Sequence, residues 1–247
     1  MDAWHELTRD GTRLAYRDFG GHGPPVLLLH GLAGHAEEWA ETASWLTASH
    51  RVLALDARGH GRSERRPADV SRNALVTDAA EMLESAAPGP VVAVGQSLGG
   101  LIAPLLAARR PELVRGVVVA DASPDGGHEE AEAAARALAT ALRQWPVPFA
   151  SSTAAERFFA ERYGSETSAQ AWARVASPAL VVRGGNGYVD PETARAMATR
   201  LPGARLVELP GAAHDLHLDR PDQWRVALSA FLATLGDDPG ERPRRGS

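Results

Sequence analysis

Six short apolar runs, at residues 26–29, 52–55, 91–94, 117–120, 180–182 and 205–209, recur along the chain with helical stretches between most of them. Strand alternating with helix leaves few choices: successive strands lie parallel, and the helices connecting them cover both faces of one sheet. The runs are apolar throughout rather than alternating, as expected of strands buried on both faces. Helical stretches are read at 37–48, 71–86, 98–109, 191–201 and 221–235. Ahead of this rhythm, residues 4–8 and 12–18 alternate in polarity around Arg9-Asp10-Gly11, which predicts an opening hairpin. The expected fold is therefore α/β, with a mostly parallel eight-stranded sheet.

One interval breaks the alternation. Between 123 and 177 there is no strand pattern, but three helical pieces, at 129–145, 153–163 and 168–176. An insertion between two parallel strands sits over their carboxyl ends, where such sheets bind ligands, so a short helical lid is expected at 123–177. The core domain then comprises 1–122 and 178–235, followed by a polar, disordered tail at 236–247. Trp145, Phe149, Phe158, Phe159, Tyr163 and Trp172 in the insertion either line an apolar pocket or pack the lid on the body.

Composition removes several chemistries. The chain of 247 residues has no cysteine, which excludes a thiol nucleophile and a thiolate metal site. All 26 basic residues are arginine, so neither a Schiff-base lysine nor a phosphate-loop lysine is available. A net charge of −5 does not favour nucleic acid or an anionic membrane as partner. No apolar stretch reaches the length of a membrane span and no signal-peptide layout opens the chain, so a cytoplasmic protein acting on a small molecule is expected. No metal or cofactor is expected.

Residues 95–99 read Gly-Gln-Ser-Leu-Gly between an apolar run and a helical stretch, which places Ser97 on a sharp strand-to-helix turn. The free N–H groups at the start of the new helix face any negative charge that develops there. A serine hydroxyl needs a base, and among nine histidines His214 lies just past the last strand, on the same sheet edge as Ser97. His217, three residues on, is read as supporting the loop or capping the next helix. Pro104 should kink or loosen the helix after Ser97, because it cannot bond the Gly100 carbonyl.

With these residues in view, the chain resembles the α/β-hydrolase superfamily over nearly its whole length. The motifs are His30-Gly31-Leu32-Ala33-Gly34, Asp56-Ala57-Arg58-Gly59-His60-Gly61-Arg62-Ser63, the Ser97 turn and the His214 loop. The resemblance implies Ser97 as nucleophile, His214 as base, and the backbone N–H groups of Leu98 and Leu32 as the oxyanion hole. His30, Asp56 and Arg58 are structural in that pattern. Relatives that carry aspartate at the elbow, the epoxide hydrolases and haloalkane dehalogenases, are excluded by Ser97.

The acid is open between two residues. Family members usually carry it after strand seven, where this chain reads Arg183-Gly184-Gly185-Asn186-Gly187-Tyr188-Val189-Asp190. Asp190 comes late and precedes Pro191 as a helix N-cap would. Asp121, at the end of strand six, is preferred, with Asp190 as the alternative acid. The expected activity is serine hydrolysis of an ester, lactone or thioester through an acyl-enzyme. The alternatives are a cofactor-free oxygenase, lyase or cyclase using a His/Asp base, and a small-molecule receptor.

Overall fold

The computed structural model describes residues 2–123 and 168–236. Eight strands, β1 (Ala3–Arg9), β2 (Thr12–Gly20), β3 (Pro25–Leu29), β4 (Arg51–Asp56), β5 (Val91–Gln96), β6 (Val114–Ala120), β7 (Ala179–Gly184) and β8 (Arg205–Leu209), form one sheet in the order β1-β2-β4-β3-β5-β6-β7-β8. β1 and β2 are an antiparallel hairpin closed by Asp10 and Gly11, both at positive φ as a two-residue turn of that twist requires. β2 pairs antiparallel with β4, and all later pairings are parallel. Because β4 lies on one side of β3 and β5 on the other, the chain reverses direction across the sheet at β3. Loops leaving β3 and β5 therefore diverge and open a crevice at the carboxyl edge.

Among the described residues there are seven α-helices: α1 (Ala40–Leu46), α2 (Arg72–Ala86), α3 (Leu98–Arg109), α4 (Ser168–Arg174), α5 (Pro191–Arg200), α6 (Leu216–Asp219) and α7 (Pro221–Leu232). A 3-10 turn, Ala36–Trp39, leads into α1, so the first expected helix is really two pieces. Residues of one strand alternate between two cores. In β5, Val91 and Ala93 join the cluster under α2 to α5, whereas Val92 and Val94 join the one under α1, α6 and α7. That two-sided burial is why the apolar runs are continuous.

α2 begins where Ser71 accepts the Ala74 N–H, and α5 where Asp190 accepts those of Glu192 and Thr193. α3 continues through Pro104, which is buried. The lid helices expected at 129–145 and 153–163 lie outside the described residues, as do Trp145, Phe149, Phe158, Phe159, Tyr163 and the tail from 237. The third piece is present as α4. Its Trp172 is buried and donates Nε1–H to the Met197 carbonyl at 2.9 Å, so it packs on the body rather than lining a pocket.

Candidate active site

Strand register alone brings the motif residues to one level. Leu29 pairs with Gly95, Gln96 with Ala120, and Ala120 with Val182. One step past these rungs stand Ser97, whose N–H donates to the Ala120 carbonyl at 3.0 Å, and Asp121, whose N–H donates to the Val182 carbonyl at 2.8 Å. Both then leave the sheet at positive φ, 50° for Ser97 and 43° for Asp121, a conformation that costs side chains energy and persists where surrounding packing dictates it. Ser97 is half-buried. The elbow is tight enough that a Cβ on Gly95 would run into the Gly99 backbone, and one on Gly99 into the Leu29 carbonyl. Leu98 is the first residue of α3, where its N–H has no helical carbonyl to bond. The Gly99 N–H is engaged with the His30 carbonyl at 3.1 Å, which ties the elbow to the loop after β3.

That loop folds into a turn in which the Gly34 N–H donates to the Gly31 carbonyl at 3.1 Å, with Ala33 at φ 67°. Leu32 is half-buried at its crest. His30 is buried beneath it and fully bonded: its Nδ1 meets the Gly31 carbonyl at 2.7 Å and its Nε2 accepts the Ala57 N–H at 3.0 Å. That pattern fixes the neutral tautomer with the proton on Nδ1, and burial, with His60 adding, pushes the ring down to about 3.

Beyond β8, the His214 ring reaches back across the edge. Its Nδ1 lies 2.8 Å from Asp121 Oδ2. Asp121 is buried and also accepts the Tyr188 N–H at 2.8 Å and, at longer range, the N–H groups of Gly184 (3.3 Å) and Val189 (3.4 Å). A Cβ on Gly187 would overlap its carboxyl group, so the loop after β7 wraps it closely. Asp190 is exposed, and its oxygens take the Glu192 and Thr193 N–H groups at 2.9 Å each and the Thr193 hydroxyl at 2.6 Å. These bonds to the helix end hold its carboxyl below the usual range. Of the two aspartates weighed, Asp121 meets the His214 ring and Asp190 caps α5.

Three neighbours of the site carried no motif. Gln96 Nε2 donates to the His214 carbonyl at 3.1 Å and to Asp215 Oδ1 at 3.2 Å, which moors the histidine loop to β5. The Tyr188 ring, 73% exposed, packs on the His214 ring with centroids 4.3 Å apart. His217 stacks on Trp39 with centroids 4.0 Å apart instead of capping a helix. Only the proximity of Tyr188 and His217 to the motif residues hinted at them. Around Asp56 and Arg58 the bonds are structural: Asp56 accepts the Ala36 N–H at 2.6 Å and the Arg62 N–H at 2.7 Å, and Arg58 grips Asp78 through two bonds of 2.6 Å.

The family model for the alpha/beta hydrolase family matches residues 26–227, which takes in every motif placed on this edge. The chain belongs to the alpha/beta hydrolase family. This hydrolase is 30% identical to the sn-1-specific diacylglycerol lipase of Mus musculus over 85% of its own length and 81% of the relative's. It is 31% identical to a pimeloyl-acyl-carrier-protein methyl ester esterase of Chromobacterium violaceum, over 87% of its length and 96% of the other. A thermophilic esterase from Thermogutta terrifontis superposes with a TM-score of 0.78 at 23% identity, over 95% and 99% of the two chains, a likeness of fold. The hydrolase is thus an enzyme of this fold. Among the described residues, no helix is long and apolar enough to cross a membrane, and no cluster of acidic and imidazole groups could hold a metal ion.

Proposed function

We propose that the hydrolase cleaves an ester, lactone or thioester of a small molecule through an acyl-enzyme, with Ser97 as nucleophile, His214 as base and Asp121 as the acid that orients it. The observation that carries this is the 2.8 Å contact between His214 Nδ1 and the buried Asp121 carboxylate, one strand over from the Ser97 elbow. Asp121 accepts the Nδ1 proton, so the Nε2 lone pair is the one free to act. Ser97 Oγ attacks the carbonyl carbon while its proton passes to Nε2. The oxyanion that forms is held by the N–H groups of Leu98 and Leu32. Collapse of the tetrahedral species breaks the bond to the leaving oxygen or sulfur, which takes the proton from His214. Water then repeats the sequence on the acyl group and restores Ser97. Asp190, spent on its helix cap, has no part.

The test pairs a serine-directed fluorophosphonate with turnover of short-chain nitrophenyl esters. Labelling at Ser97 and loss of both labelling and turnover in Ser97→Ala are expected. Because the acid stands after β6, the same His/Asp pair could instead remove a proton from a bound substrate. Activity on a phenolic heterocycle that survives Ser97→Ala, with little ester turnover, would establish that chemistry in place of acyl transfer.

A further inference from the structure

Behind the turn that carries Leu32 lies a carboxyl group that acyl transfer does not use. Glu38, on the 3-10 turn Ala36–Trp39, folds back so that a Cβ on Gly34 would overlap its carboxyl group. Its Oε2 accepts the His35 N–H at 3.3 Å, and its Oε1 lies 3.6 Å from His217 Nε2. Glu38 therefore sits between the loop that follows β3 and the helix that follows His214.

We propose that Glu38 is a positioning residue for the oxyanion turn, which it supports as a neutral carboxyl group, and that loss of its proton weakens the hold of the Leu32 N–H on a developing oxyanion. This rests on the assignment of Leu32 as an oxyanion donor. Among the described residues, no arginine is bonded to Glu38. His217 is buried with both ring nitrogens unbonded, and burial, with His214 adding, pushes that ring down to about 3, so it does not become an imidazolium partner. The 3.6 Å approach is thus no ion pair. From β4, Asp56 faces the carboxyl group, and Asp215 does so from the start of α6; both repel its charged form. From β2, Arg17 is engaged with Asp2 and Glu37. On neighbouring turns, His35 and Glu41 are exposed. β3 presents only Pro25 to Leu29, none of which titrates. Burial first, then these two aspartates, outweighs the His35 and Gly31 N–H groups and pushes Glu38 up to about 7. A charge appearing there stands against the turn that carries Leu32, beside Gly34, and opposes an oxyanion held by that turn, in a setting where water screens poorly.

The experiment follows kcat for a nitrophenyl ester from pH 5 to 10 in the wild type, Glu38→Gln, Asp215→Asn and Ser97→Ala. In the wild type, kcat should fall by about tenfold on an alkaline limb near neutrality, the effect of one poorly screened charge against the turn that holds the oxyanion. Glu38→Gln, which keeps the neutral shape, should lose that limb and hold its plateau. Asp215→Asn removes a repelling charge, so Glu38 ionises sooner and the limb moves to lower pH; this arm decides if Glu38→Gln does not fold. A limb that persists in Glu38→Gln, a uniform drop at every pH in that variant, or an unmoved limb in Asp215→Asn overturns the inference. Turnover retained in Ser97→Ala overturns the acyl-enzyme proposal and this inference with it. An inactive Ser97→Ala beside a Glu38→Gln that keeps the limb overturns the inference alone.

Discussion

Asp121 does two jobs with one carboxyl group: it accepts the N–H groups of Gly184, at the end of β7, and of Tyr188 and Val189, on the loop after it, and it meets the Nδ1 of His214. Asp121→Asn keeps the shape but presents an amide that can donate to the ring, which favours the wrong tautomer; kcat should fall by roughly 10³ to 10⁴-fold on a nitrophenyl ester. Asp190→Asn should leave kcat unchanged, because asparagine also caps helices and the Asp190 carboxyl is bonded to the start of α5. Steady-state kinetics of the two variants side by side checks both. Asp121 was legible in the sequence because it ends an apolar run beside the elbow strand, and Asp190 was doubtful there because Pro191 follows it. Glu38 was not legible. Its importance comes from burial and from the company of Asp56 and Asp215, which sequence separation conceals.

At the scale of the element, the elbow is a collision avoided at two glycines. Gly99→Ala should be among the most destabilising single changes in the protein, costing about 3 kcal/mol or more in denaturant unfolding, because its methyl group meets the Leu29 backbone, which cannot rotate away. Ser71→Ala should cost about 1 kcal/mol by leaving the Ala74 N–H of α2 without its cap. Strand positions were legible because continuous apolar runs mark two-sided burial; β8 matches its run, whereas β4 and β5 end further out, at Asp56 and Gln96, since backbone pairing continues where side chains turn polar. α6 was missed because four residues carry too little periodicity to register. Pro104 lies inside α3, which continues through it and is packed against β5, β6 and α4.

Across the described residues, His30 and His217, with His60 adding in the same direction, make the fold lose stability in acid. His30 and His217 have folded pKa values near 3, below the ordinary 6.5, so the unfolded chain binds more protons than the native one between those values. Their contribution is complete above pH 6.5 and is lost as pH falls toward 3, by about 1.4 kcal/mol per unit for each ring. Glu38 works in the opposite sense: raised from 4.5 to about 7, it favours the folded state most below 4.5 and progressively less as pH rises to 7. Two groups against one leave a net loss, so the thermal midpoint should drop between pH 6.5 and 4.5, and more steeply in Glu38→Gln, which lacks the opposing term. Thermal unfolding across that range measures it. Fold class was legible at this scale because alternation of strand and helix permits little else, whereas a pH response depends on which polar groups the finished core encloses.

The proposed site draws its groups from positions 32, 97, 121 and 214, and its proposed base stands on a loop that follows the last strand of the sheet. As the chain leaves the ribosome, the elbow and the acid emerge long before His214 does. A nascent chain thus carries its serine without the proposed base until the last strand of the sheet has been made. The order of the chain delays hydrolysis until the sheet that aligns the three groups can close.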